Sequence, residues 1–200
     1  MPVSSPLNRH HRRSIRLPGY DYSQPGTYFL TLCTHERETL FGDAVDDVMR
    51  LNDYGEIVTA VWDDLPNHYP HVELDAFVIM PNHMHGIIVL NDDVVRAGLR
   101  PAPTRPAPTP TKRHALPEIV RALKAFSARR INESRATPGV PVWQRNYYEH
   151  VVRSEYELNT IRAYIQNNPL RWALDRDNPV NAPRLSISGT VDQYLHDAGL

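Results

Sequence analysis

Two histidines separated by a single apolar residue, His83-Met84-His85, and a tyrosine far downstream, Tyr164, are the side chains whose types and spacing suit phosphate chemistry. The histidines lie within an apolar run. Phe77-Val78-Ile79-Met80 and Pro81-Asn82 precede them, and Gly86-Ile87-Ile88-Val89-Leu90 follows. Runs of this kind read as strands, and in a strand residues i and i+2 point to one face. Both imidazoles therefore project together while Met84 points into the opposite side. Two convergent imidazoles are most of a divalent metal site. The segment Leu158 to Asn168 reads as a helix that places Tyr164 and Asn168 at i, i+4 on one face. A metal and a tyrosine hydroxyl facing each other suit nucleophilic attack on a phosphodiester. Taken singly, each feature has a plainer explanation: packed histidines, a half-buried tyrosine, an asparagine capping a helix before Pro169. The weight lies in their relation.

The elements that must position these groups follow from the rest of the chain. Two hundred residues with 41% apolar content suffice for one globular domain with tails. No run approaches a membrane span, and the charged N-terminus has no apolar stretch behind it, so it does not read as a secretory signal. The single cysteine, Cys33, excludes an internal disulfide and reads as a small core residue of a reducing compartment. Tyr28 to His35 reads as a first strand, apolar on both faces and so central. Leu51 to His68 reads as a helix capped by Asn52 or Asp53, with Pro66 weakening its last turn. Val72 to Met80 and His83 to Leu90 form two further strands, antiparallel across Pro81-Asn82. Pro117 opens a helix to about Asn132, and Val140 to Val152 reads as a fourth strand rich in aromatics. Ser154 and Glu157 form a capping box for the tyrosine-bearing helix. Strand, helix, strand, strand, helix, strand is the split βαβ order of an α+β, ferredoxin-like fold with an antiparallel sheet, here with an extra C-terminal helix carrying Tyr164. Residues 1–18 read as a basic arm and 19–174 as the domain. The proline-rich stretch 100–111 reads as an extended insert and 175–200 as a tail.

Net charge is −1, but the charges segregate. Residues 36–75 are acidic. Arg12, Arg13 and Arg16 make one basic block, and Lys112, Arg113, Arg121, Lys124, Arg129 and Arg130 belong to a second. A phosphate backbone meets local potential rather than the total, so these residues are candidate DNA contacts.

At this point the residues resemble a family. Phe77 to Ile88 looks like the HUH motif of single-tyrosine transposases, and three further stretches are similar to the branch called REP-associated tyrosine transposases. These are Thr34 to Gly42, Trp143 to His150, and Tyr164-Ile-Gln-Asn-Asn-Pro169. The resemblance implies a ferredoxin-like endonuclease and strand transferase acting on single-stranded DNA that folds into hairpins, REP-like palindromes. It implies His83 and His85 as two ligands of Mg2+ or Mn2+, Tyr164 as nucleophile, and Asn168 in the third-ligand position, where many relatives carry glutamine. Tyrosine attack would store the bond energy in a 5′-phosphotyrosine, so rejoining needs no nucleotide cofactor. Two imidazoles and an amide oxygen would accept manganese well and magnesium more weakly. The same resemblance implies a cytoplasmic, nucleoid-associated protein without membrane contact. It leaves open a homodimer that shares active sites. Two other readings stand beside it: a catalytically idle DNA-binding protein of the same fold, and a metal-dependent phosphoesterase in which Tyr164 is structural.

Overall fold

The computed structural model describes residues 17, 19–92, 113–175 and 178–181. Arg12, Arg13, Arg16, Lys112, the proline-rich stretch and nearly all of the tail lie outside the described residues. Strand β1 (Gly26–Cys33) begins and ends two residues earlier than its sequence pattern implies. It stops at Thr34, whose amide and hydroxyl both turn to the Asn82 carbonyl, each at 2.9 Å. A short hairpin follows, β2 (Gly42–Val45) and β3 (Val48–Leu51), which the sequence analysis did not anticipate. Its two linking residues, Asp46 and Asp47, have φ of 51° and 63°. Two consecutive left-handed residues make the tight turn that matches strand twist, and aspartate tolerates that conformation. Gly42 is obligatory there: a Cβ would sit 2.1 Å from the Arg50 carbonyl oxygen.

Helix α1 (Asp53–Asp63) is capped by Asn52, whose side-chain oxygen accepts from the amides of Tyr54 and Gly55. The helix expected to run on to His68 instead breaks at Asp64 and restarts as α2 (Leu65–His68). Pro66 has no N–H for the Trp62 carbonyl, which accepts from Asp64 instead. Strands β4 (Val72–Met80) and β5 (His83–Leu90) keep the bounds read from their apolar pattern. A bulge in β4 falls between Leu74 and Phe77. Helix α3 spans Leu116–Ser134. The expected strand over 140–152 forms only in its last third, β6 (Tyr148–Val152). Residues 140–147 make only an isolated antiparallel bridge, Trp143 to Thr34, with His35 N–H donating to the Val142 carbonyl and Gln144 N–H to the Cys33 carbonyl. Side chains add to it, the Trp143 indole donating to Ser127 Oγ at 2.9 Å and Lys124 to the Gln144 and Arg145 carbonyls.

Helix α4 (Glu155–Gln166) starts at Ser154, whose hydroxyl accepts from the Glu157 amide. The reciprocal half of the capping box is displaced by one residue: the Glu157 carboxylate accepts from Arg153 N–H, not from Ser154. The helix ends before Asn168, because Pro169 cannot donate to Ile165. Asn168 opens a separate short helix, α5 (Asn168–Arg171). Tyr164 and Asn168 are therefore not two positions on one helix face.

The four long strands form a fully antiparallel sheet in the order β4-β5-β1-β6, which is the split βαβ arrangement. Alternation in β1 and β5 divides the core. Tyr28, Leu30, Leu32, Met84, Ile88 and Leu90 pack with Trp62 of α1 and Leu123 of α3. Phe29 and Ile87 face the other way and pack with Ile161, Tyr164 and Ile165 of α4. Gly86 is what lets the α1 side close: a Cβ there would lie 2.5 Å from the Trp62 ring. The fold is thus α1 and α3 on one face of the sheet and α4 on the other. Among the described residues no helix is long and apolar enough to cross a membrane.

Candidate active site

His83 and His85 emerge from β5 on the face that α4 covers, while Met84 is fully buried on the other. The two imidazole centroids are 4.7 Å apart, and both rings are almost wholly buried. Each ring is oriented through Nδ1. His83 Nδ1 lies 2.9 Å from the side-chain oxygen of Asn82. His85 Nδ1 lies 2.8 Å from the hydroxyl of Thr31, its cross-strand partner on β1. Partners on the second ring nitrogen are how ligating histidines are held in one tautomer and one plane. Phe29 stacks on the His85 ring at 5.4 Å. Burial, reinforced by the neighbouring His83, holds His85 well below the usual histidine range. It is therefore the neutral base a metal requires.

Helix α4 brings Tyr164 over this pair. Its hydroxyl lies 3.3 Å from His85 Nε2, across 79 residues of sequence. The helix is fixed to the sheet by two polar clamps. Arg162 Nε donates to Asp75 Oδ1 at 2.9 Å, with a second contact between Nη2 and Oδ2. That bidentate pair holds the Asp75 carboxyl below its ordinary range. At the helix start, His150 Nε2 is 2.6 Å from one oxygen of Glu157, and the Arg153 amide donates to the other. Burial pushes Glu157 up, but the Arg153 N–H and His150 outweigh it, and its carboxyl sits below the usual value. Beyond α4 the chain turns back toward the histidines, and Trp172 reaches within 6.0 Å of the His83 ring.

Asn168 lies between Tyr164 and Trp172 in sequence, each of which meets one of the imidazoles. It is 1% exposed, and its side-chain oxygen makes no hydrogen bond among the described residues. An orphaned buried amide oxygen is rare unless it serves a ligand. Among the described residues no cluster of three or more His, Cys, Asp or Glu exists, so a cation at the histidine pair would need an amide as its third protein ligand. Two imidazoles and an orphaned amide oxygen are donors of the kind a divalent metal takes.

The candidate basic residues that the structure describes do not converge on this place. Arg121, Arg129 and Arg130 are exposed on α3, which packs on the opposite face of the sheet. Arg113 is bound to the Asn91 carbonyl and Asp92, joining the two ends of the segment between them. Lys124 is tied to two carbonyls, and burial lowers its pKa to about 8. Sequence reasoning missed Thr31, Asp75, Arg162 and His150, whose roles depend on strand register and helix docking, and it read Glu157 only as a capping residue and Asn82 only as part of a tight link.

With this geometry in view, comparison with known proteins is informative. A family model described as IS200-like transposase matches residues 109–168, a span that holds Tyr164 and Asn168 and excludes the histidine pair. A Haemophilus influenzae protein of uncharacterized function is 43% identical over 172 residues, 84% of this chain and 93% of its own length. The chain belongs to the IS200-like transposase family. Within that family it is similar to a second Haemophilus influenzae protein named as a REP-associated tyrosine transposase, 25% identical over 151 residues, 76% of this chain and 74% of that one. The solved structure of a REP-associated tyrosine transposase bound to a REP hairpin shares the fold. It matches at a TM-score of 0.51 and 19% identity, over 78% of this chain and 73% of that chain. A transposase family of this kind works in DNA transposition.

Proposed function

We propose that this IS200-like transposase cuts and rejoins single-stranded DNA beside hairpin-forming repeats, with Tyr164 as nucleophile and His83, His85 and Asn168 as ligands of a divalent cation, Mg2+ or Mn2+. The observation that carries the reading is the approach of the Tyr164 hydroxyl to His85 Nε2, 3.3 Å, between two segments 79 residues apart. When bound, the cation would polarise a non-bridging phosphate oxygen. The other parts of the work fall to the chain. The Tyr164 oxygen forms the new bond to phosphorus, giving a 5′-phosphotyrosine. The bond to the upstream strand breaks, and that strand leaves as a 3′-hydroxyl carrying the phenolic proton. Attack by another 3′-hydroxyl reverses the step and restores the tyrosine, so no nucleotide cofactor is consumed. Thr31 and Asn82 hold the imidazole planes, and Arg162 and Glu157 hold the helix that presents the nucleophile. A DNA substrate would place the protein at the nucleoid in the cytoplasm. Among its contacts would be Arg12, Arg13, Arg16 and Lys112, with the exposed arginines of α3.

The test is a covalent adduct. Incubated with a hairpin-bearing single strand and Mn2+, the protein should become attached to the 5′ phosphate at the cut and migrate as a protein–DNA species in a denaturing gel. Tyr164→Phe should lose the adduct while keeping hairpin affinity. An adduct that persists in the phenylalanine variant assigns the nucleophile elsewhere. Hairpin affinity with no adduct in the wild type leaves a DNA-binding protein of this fold.

A further inference from the structure

We infer that Asn82 is a positioning residue that fixes His83 as its Nδ1–H tautomer and so leaves the imidazole lone pair on Nε2. The inference rests on the proposed metal site for its functional meaning, and on hydrogen-bond geometry for its chemistry. Asn82 is fully buried in the two-residue link between β4 and β5. Its amide nitrogen faces the Arg37 carbonyl oxygen at 3.3 Å, and its amide oxygen faces His83 Nδ1 at 2.9 Å. The amide cannot be turned over. A flip would set oxygen against the Arg37 carbonyl, two acceptors face to face in a buried place. With the oxygen toward His83, Asn82 can only accept, so Nδ1 must carry the hydrogen.

The backbone around the amide is fixed as well. The Asn82 carbonyl accepts from both the amide and the hydroxyl of Thr34. The Arg37 carbonyl is presented by a tight turn in which Glu36 and Arg37 both have left-handed φ, 52° and 59°. Two such residues in succession, neither of them glycine, cost conformational energy and persist where the surroundings demand it. Here that strained turn aims the carbonyl that orients the Asn82 amide.

A free neutral histidine side chain carries its hydrogen mainly on Nε2, the reverse of what this arrangement imposes. Without Asn82, His83 would therefore revert toward the tautomer whose Nε2 cannot ligate. Long-range proton–nitrogen correlation spectra of the metal-free protein, at a pH of about 9 where imidazoles are neutral, read the tautomer directly. Wild-type His83 should show the Nδ1–H pattern. Asn82→Leu should shift it to Nε2–H and weaken Mn2+ binding by about 10- to 100-fold, the usual effect of removing such an outer partner. Asn82→Ala, which removes the acceptor without adding bulk, should show the same shift. An Nε2–H pattern in the wild type, or an unchanged pattern in a folded Asn82→Leu protein, overturns the inference. Should the leucine variant fail to fold, the wild-type and alanine spectra decide, and an unchanged pattern in the alanine variant overturns the inference. A wild-type protein that binds no Mn2+ yet shows Nδ1–H would sink the metal reading and leave the assignment of the tautomer standing.

Discussion

At the scale of single residues, the site depends on buried polar groups that each have one plausible task. His83→Ala or His85→Ala should abolish Mn2+-dependent cleavage while sparing most of the DNA affinity, because affinity for a strand comes mainly from phosphate contacts. Gel shift and cleavage assays on the same preparations separate the two, and a histidine variant that still cleaves would remove that residue from the site. Asn168→Ala should slow cleavage without abolishing it, since water can take the place of a lost amide oxygen. The histidine pair was legible in the sequence because strand alternation is a local rule. Tyr164 was singled out by its i, i+4 spacing from Asn168 and by the family resemblance, not by packing, and the structure buries it in one cluster with Ile161 and Ile165. Thr31 and Asn82 were not. Thr31 becomes the partner of His85 only through the register of β1 on β5. Asn82 meets His83 only because its amide is turned by a carbonyl 45 residues away in sequence.

At the scale of elements, the pair Asp75–Arg162 joins the bulged strand β4 to α4 across 87 residues. Its geometry is bidentate, but both side chains keep some solvent exposure. A contribution of roughly 1 kcal/mol is therefore reasonable, toward the upper end for partly exposed pairs. Asp75 has its carboxyl pKa depressed in the folded protein. A depressed carboxylate stabilises the fold fully above the unfolded value, about 3.9, and the contribution is lost as pH falls through the lower folded value. Asp75→Asn should accordingly unfold at lower denaturant than the wild type at neutral pH. The gap between the two midpoints should narrow as pH falls below the ordinary carboxylate range. A gap that is constant with pH would mean the pair contributes through packing alone. The hairpin β4–β5 was read correctly to the residue because its apolar runs are long and its link is short. The hairpin β2–β3 was missed because its strands are four residues each and its turn is made by two aspartates rather than by glycine. Residues 140–147 misled in the opposite direction. Their aromatic content suits a strand, but Trp143 and Tyr147 belong to the core beneath α3, and the backbone there pairs with the end of β1 only through a single isolated bridge.

At the scale of the whole molecule, the sheet separates two surfaces. The exposed Arg121, Arg129 and Arg130 lie on the α3 side, and Tyr164 lies on the other. Converting these three arginines to glutamine should lower DNA affinity and flatten its salt dependence, by ~0.7–0.9 in the log–log slope for each phosphate no longer neutralised. The cleavage rate of DNA already bound should not change. An unchanged slope would make that face a merely solvated one. The same division sets unequal strengths for the two layers. The α1 and α3 side holds the large apolar cluster, whereas α4 is held by a small one, Ile161, Tyr164 and Ile165 against Phe29 and Ile87. At roughly 2 kcal/mol per buried side chain, three residues of α4 amount to about 6 kcal/mol before the loss of chain entropy is subtracted. That margin is small enough for α4 to detach while the rest of the domain stays folded, as weakly docked units do. Its amides should therefore exchange with deuterium by a local opening that leaves α3 protected. Arg162→Ala should speed exchange in α4 and leave α3 unaltered, and exchange that accelerates equally in both helices would refute the division. Tyr164 is only 6% exposed, so with Tyr164 as the proposed nucleophile the equilibrium that uncovers it would set the fraction of molecules ready to meet a strand.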